Sequence, residues 1–163
     1  MNKHVAAAAA LAASTMVAAT PVQAQACWNS DAVNAAKVRN LDIMLMVTGL
    51  RCRMGPDNFQ PDYYKFSANH LAELNVANRV IRAQFAGAGP KAADRALDRM
   101  SVGIANSYGT GHPTLGCKQL RQITRDLAGS RVPGSLLSAA DALVGAPEIP
   151  GSACATRVAT VRR

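Results

Sequence analysis

Cysteine is the residue type in this chain whose spacing has the clearest chemical meaning. Four cysteines lie beyond an N-terminal export leader: Cys27, Cys52, Cys117 and Cys154. No two of them form the C-x-x-C pair that zinc sites and thioredoxin-like redox sites use. An even number of widely spaced cysteines in an exported chain is typical of disulfides. The sequence therefore predicts two disulfides, with no metal site and no cofactor.

The two histidines beyond the leader could take part in acid–base chemistry. His70 falls on the apolar stripe of a predicted helix, where a hydrogen-bonded packing role is the simplest interpretation. His112 falls in a loop whose glycines and hydroxyls could contact a ligand beside a titratable ring. A plain connection between two helices is the alternative, and no hydrolase motif accompanies the loop. The candidate ligand residues there are Tyr108, Thr110, His112 and Thr114.

Arginine supplies most of the positive charge, which amounts to +8 for the whole chain. Arg51 and Arg53 lie at the predicted end of the first helix, where cations complement the helix dipole. They could form an anion-binding patch with Arg157, Arg162 and Arg163 if the C-terminal tail folds back. Helix capping and solubility are the alternative. Because the cations are spread over every segment, no specific nucleic-acid site is predicted.

The first 26 residues have the pattern of a secretory signal peptide. A short basic start precedes an apolar run at 5–19, and small residues follow at the spacing that a signal peptidase reads. Cleavage after Ala24 or after Ala26 fits this pattern. The run is shorter than the roughly 20 residues that span a bilayer, and no later segment is apolar enough. We therefore expect a cleaved signal peptide over 1–26 and a periplasmic or secreted mature chain without a transmembrane segment.

Helical periodicity dominates the mature chain. Residues 31–53 contain one glycine and no proline, and their apolar centre indicates a helix buried by neighbours on several sides. Apolar residues at spacings of three and four predict a second helix from Pro61 to about residue 85. Turns rich in glycine and proline then separate three further helices. The predicted fold is an all-α, small up-down bundle of about five helices, forming one domain over 27–163 with a flexible basic C-terminal tail.

The length of the first helix limits how the cysteines can pair. Cys27 and Cys52 would lie on the order of 35 Å apart at its two ends, whereas a disulfide needs Cα atoms within about 7 Å. Two connectivities therefore remain. Up-down packing favours Cys52–Cys117 with Cys27–Cys154, because the fourth helix would begin beside the end of the first. Cys27–Cys117 with Cys52–Cys154 is the alternative.

Three segments carry a resemblance that covers roughly the first two helices. They are Cys-Trp-Asn at 27–29, Leu-Asp-Ile-Met-Leu-Met-Val at 41–47 and Leu-Arg-Cys-Arg at 50–53. Together they resemble a set of small, uncharacterised exported alphaproteobacterial proteins, some of which are labelled adenosylhomocysteine hydrolase. The chain does not support that activity, since it is short, has an export leader and lacks a dinucleotide-binding fingerprint. The resemblance implies a recurring two-helix core anchored by cysteine.

Three functions fit these features. The favoured interpretation is a non-enzymatic periplasmic or envelope protein that acts by binding, with an envelope protein or an anionic polymer as its partner. The first alternative is a small secreted hydrolase that uses the His112 loop. The second is a binder of anionic polymer or lipid through the arginines.

Overall fold

The structure is a computed structural model that describes residues 27–147, 149–151 and 153–154. The predicted signal peptide lies outside the described residues. So do Arg157, Arg162 and Arg163 of the predicted tail and of the predicted anion patch.

Six α-helices make up most of the described chain, and those residues contain no β-strand. A single turn of 3-10 helix, Ala86–Ala88, lies between the third and fourth of them. The all-α prediction is confirmed, with one helix more than expected. None of the helices in the described ranges has the length and apolar content needed to cross a bilayer. The helices are α1 Ser30–Cys52, α2 Gln60–Asn69, α3 Leu71–Gln84, α4 Pro90–Ser107, α5 Cys117–Gly129 and α6 Ser135–Leu143.

Helix α1 is the central element and packs against all five other helices. It begins where the side chain of Asn29 accepts a hydrogen bond from the amide of Ala32 (2.9 Å), which satisfies one of the free amides of the first turn. Leu41, Met44 and Leu45 at its centre are completely buried. The apolar run of the sequence thus forms the core of the bundle, as its pattern predicts.

The predicted second helix is divided at His70 into α2 and α3, and the prediction of one continuous helix is wrong there. The side chain of Asn69 donates to the carbonyl of Ala128 (2.8 Å), and Nε2 of His70 lies 2.9 Å from the carbonyl of Leu127. These two side chains therefore bond to carbonyls in the last turn of α5, which have no amide donor within the helix. The division places both side chains against the end of α5.

Two disulfides fix the ends of α1. Cys52 pairs with Cys117 (Cα–Cα 5.7 Å) and Cys27 pairs with Cys154 (Cα–Cα 4.8 Å). This is the connectivity that up-down packing favours. The amide of Cys154 also donates to the carbonyl of Trp28 (2.8 Å), so residues 153–154 lie beside the residues that precede α1. We call the Cys52 end of the bundle the upper end and the Cys27 end the lower end.

Candidate functional site

The His112 loop, residues 108–116, connects α4 to α5. Nδ1 of His112 accepts hydrogen bonds from the amides of Thr114 (3.2 Å) and Leu115 (3.1 Å). Because Nδ1 is an acceptor, Nε2 carries the proton and donates it to the carbonyl of Leu143 (2.9 Å). Both ring nitrogens thus form hydrogen bonds with backbone groups, and His112 joins its loop to the end of α6.

The other predicted ligand residues surround this histidine unequally. The ring of Tyr108 is buried and stacks on the imidazole of His112, with ring centroids 6.4 Å apart. Thr110 and Thr114 are exposed. A general base needs a ring nitrogen within reach of the substrate, and here both nitrogens are engaged. The arrangement stabilises the loop and gives the hydrolase alternative no support.

A partly buried ionic network around Asp42 is the polar feature that the sequence reasoning missed. Asp42 is 7% exposed and accepts hydrogen bonds from Nη1 of Arg39 and from the hydroxyl of Tyr63, both at 3.1 Å. Nη2 of Arg39 also donates to the hydroxyl of Ser101 (3.2 Å). Since these residues belong to α1, α2 and α4, the network joins three helices. The sequence feature that could have revealed this network is Asp42, an acid within the apolar run 41–47.

Burial controls the protonation of this network. Desolvation raises the pKa of the Asp42 carboxyl, and the nearby Arg39 guanidinium and the hydrogen bonds from Tyr63 and Arg39 oppose this by less. Burial also raises the pKa of the Tyr63 phenol, with a further increase from the Asp42 carboxylate beside it. The charges of Arg39 and Asp42 are thus paired with each other, which is typical of a structural ion pair.

Three cations that form no ion pair among the described residues lie at the upper end. Arg51 and Arg53 flank Cys52, and Lys118 follows Cys117. Given the 5.7 Å Cα separation of the bridged cysteines and about 3.8 Å between consecutive Cα atoms, Arg53 and Lys118 are at most about 13 Å apart at Cα. All three cations are exposed, and none forms an ion pair within the described part of the chain. We call these three residues the cationic end.

The turn at residues 53–58, which follows α1, is held in place by α5. Nη1 of Arg121 donates to the carbonyl of Pro56 (2.9 Å) and to the carboxylate of Asp57 (3.3 Å). This pairing neutralises the one acid of the turn. It also fixes the segment that presents Met54, whose exposed fraction is 88%.

Arg51 has a second contact, with the His112 loop. Its Nη1 donates to the carbonyl of Gly109 (3.0 Å). Gly111 has a positive φ of 108°, and a Cβ built there would lie 3.4 Å from Nε of Arg51. The guanidinium therefore packs closely over the loop while keeping its charge and its exposure.

The structure brings together two of the five residues of the predicted anion patch, Arg51 and Arg53. Lys118 was not predicted, and it joins them because of the disulfide. In the described ranges, no group of three or more histidine, cysteine, aspartate and glutamate side chains could hold a metal ion.

Comparison with protein-family models, with characterised proteins and with solved structures finds no match to this chain.

Proposed function

We propose that this is an exported, non-catalytic binding protein that attaches to an anionic partner through the cationic end. The observation that carries the proposal is the Cys52–Cys117 disulfide, which joins an Arg-Cys-Arg segment to a Cys-Lys segment. Export is supported by the leader pattern at 1–26 and by two disulfides, which persist in oxidising compartments.

Electrostatics gives this end a positive potential. Three exposed cations lie near one another, while the adjacent Asp57 is neutralised by Arg121. Elsewhere several cations are paired with acids, as in Lys37–Asp141 and Arg82–Asp94. Clustered cations with no acid among them attract an anionic partner over about a Debye length, and this attraction weakens as salt is added.

Rigidity adds to the attraction. The disulfide fixes the backbone beside Arg53 and Lys118, and Arg121 holds the turn that follows. A surface that is ordered before binding loses less conformational entropy when the partner attaches. The cationic end is therefore better suited to binding than the same cations on a flexible chain.

The test is a titration of the exported, fully oxidised protein with polyphosphate or heparin at increasing salt. We expect binding that weakens steeply with salt. The double variant Arg53→Gln/Lys118→Gln should bind about 30-fold more weakly, since each of the two cations contributes about 1 kcal/mol near an anionic surface.

The control removes the same charge from elsewhere. Arg79 on α3 and Arg95 on α4 are exposed and form no ion pair among the described residues. The variant Arg79→Gln/Arg95→Gln has the same net charge as the first variant but keeps the cationic end, so it should bind within about threefold of the unchanged protein. Equal losses in the two double variants would mean that binding follows net charge alone, and the proposal would then be wrong.

A further inference from the structure

We infer that the anionic partner is the surface of a lipid bilayer with anionic headgroups, and that Leu50 and Met54 insert into its interface. This inference rests on the proposed function and names its partner. Its basis is a second property of the upper end, which is exposed apolar surface among the cations. Met46, Leu50 and Met54 recur every fourth residue and have exposed fractions of 37%, 42% and 88%.

The spacing of Met46 and Leu50 places them on one side of the upper part of α1, and Met54 follows on the turn after the helix. Residues four apart lie one above the other on a helix surface. Exposure increases towards the end of the helix, and Met54 lies on the turn that Arg121 holds. A large apolar side chain that is almost fully exposed on an ordered turn is well placed to insert into an apolar layer.

The combination of charge and apolar surface favours a bilayer over a soluble polyanion. A soluble polyanion attracts the cations but has no apolar surface against which a leucine or a methionine could be buried. The bilayer interface binds both kinds of side chain, because anionic headgroups attract Arg and Lys while the acyl boundary buries apolar side chains. Long cationic side chains can also remain at headgroup level while their neighbours lie deeper.

The dimensions of the end agree with this docking. Met46 and Leu50 lie about 6 Å apart along the axis of α1, Met54 follows two residues after its last residue, and interfacial insertion reaches roughly 5–10 Å. With the upper end facing the bilayer, Met54 on the turn would lie deepest, Leu50 near the end of α1 would lie above it, and Met46 would lie about one helical turn above Leu50. Arg51 and Arg53 fall between the two inserted residues in the sequence and would lie among the headgroups.

A tryptophan placed at each position tests this order of depth. The chain has one tryptophan, Trp28, which is buried at the lower end and gives a constant background. Three variants, Met46→Trp, Leu50→Trp and Met54→Trp, are mixed with vesicles of phosphatidylcholine and phosphatidylglycerol carrying brominated acyl chains. We expect quenching to be strongest at position 54, weaker at 50 and weakest at 46, and absent with vesicles of phosphatidylcholine alone.

A loss-of-binding pair complements these probes. Met54→Ser should weaken binding to the mixed vesicles by about tenfold, because it removes the most exposed apolar side chain. Val132→Ser is the matched control, since Val132 is exposed in the loop between α5 and α6. We expect this control to bind the vesicles as the unchanged protein does.

The outcomes separate the inference from the proposed function. Vesicle binding without quenching at position 54, or with equal losses in Met54→Ser and Val132→Ser, would overturn insertion. Binding to polyphosphate through the cationic end without binding to vesicles would overturn the inference and leave the proposed function standing. Binding to neither would overturn both.

Discussion

The hydroxyl of Tyr63 donates a hydrogen bond to Oδ1 of Asp42 across 3.1 Å, and this contact joins α2 to the most apolar part of α1. The other carboxylate oxygen accepts from Arg39. Each oxygen of Asp42 thus has a donor, which explains how an acid is accommodated in the core. The pair also makes the stability of the protein depend on pH in two separate ranges.

The first prediction concerns Asp42 between mildly acidic and neutral pH. Its pKa is higher in the folded protein than the ordinary value of about 3.9. The folded state therefore binds more protons in the window above that value, and the free energy of unfolding falls as pH rises through it. Asp42→Asn lacks this dependence. Urea unfolding at pH 4 and pH 7 should show that the free energy of unfolding of Asp42→Asn, relative to that of the unchanged protein, is higher at pH 7 than at pH 4. The opposite change would show that the attraction of Arg39 outweighs desolvation of Asp42.

The second prediction concerns Tyr63 in alkaline solution. The unfolded chain loses the phenolic proton near pH 10, whereas burial and Asp42 retain it in the folded protein. The free energy of unfolding should therefore fall as pH rises above about 10. Tyr63→Phe should abolish this part of the fall and cost about 1–2 kcal/mol at neutral pH, since Asp42 loses a donor. Tyr64→Phe, on an exposed side chain, should cost almost nothing at neutral pH in the same urea experiment.

Local sequence patterns are enough to predict features that depend on neighbouring residues, such as the extent of a helix. The apolar run of α1 and the length of that helix were enough to exclude a Cys27–Cys52 pair, because a helix has a fixed rise per residue. The division at His70 could not be predicted. The side chains at the division bond to a pair of carbonyls in α5, which lie 57 and 59 residues further along the chain.

The same limit applies to the candidate site. Arg51 and Arg53 are recognisable beside a cysteine at a helix end, but Lys118 joins them only once Cys52 is known to pair with Cys117. For His112 the sequence suggests a titratable ring in a loop. Only the structure shows that the carbonyl of Leu143, 31 residues away, engages one of its nitrogens.

The third prediction tests whether His112 has a structural role. His112→Ala removes two hydrogen bonds within its loop and one to Leu143 at the end of α6, and should lower the free energy of unfolding by about 2 kcal/mol. Thr110→Ala, at an exposed position of the same loop, should leave stability nearly unchanged. Both variants should bind polyphosphate as the unchanged protein does. Full stability of His112→Ala combined with loss of an esterase activity would instead support the hydrolase alternative.

The fourth prediction is an order of disulfide reduction. Cys27 and Cys154 are exposed, whereas Cys52 is buried beside Cys117. A thiolate must reach a sulfur atom to begin exchange, so access controls the rate. Brief treatment of the native protein with dithiothreitol, followed by alkylation and peptide mapping, should find Cys27 and Cys154 modified while Cys52–Cys117 is intact. Reduction in the reverse order would show that the lower end is protected by residues outside the described ranges.

The fifth prediction compares two helical glycines. A Cβ at Gly49 in α1 would lie 3.3 Å from the ring of Phe59, which is completely buried and has little room to move. Gly49→Ala should therefore lower the free energy of unfolding by about 1 kcal/mol, since overpacking outweighs the gain in helix propensity. Gly103→Ala in α4 meets nothing within 4 Å and should raise it by about 0.5–1 kcal/mol. Urea unfolding of the two variants measures the contrast. If both were stabilised equally, the ring of Phe59 would have to shift readily, and close packing of α1 against the start of α2 would not require glycine at position 49.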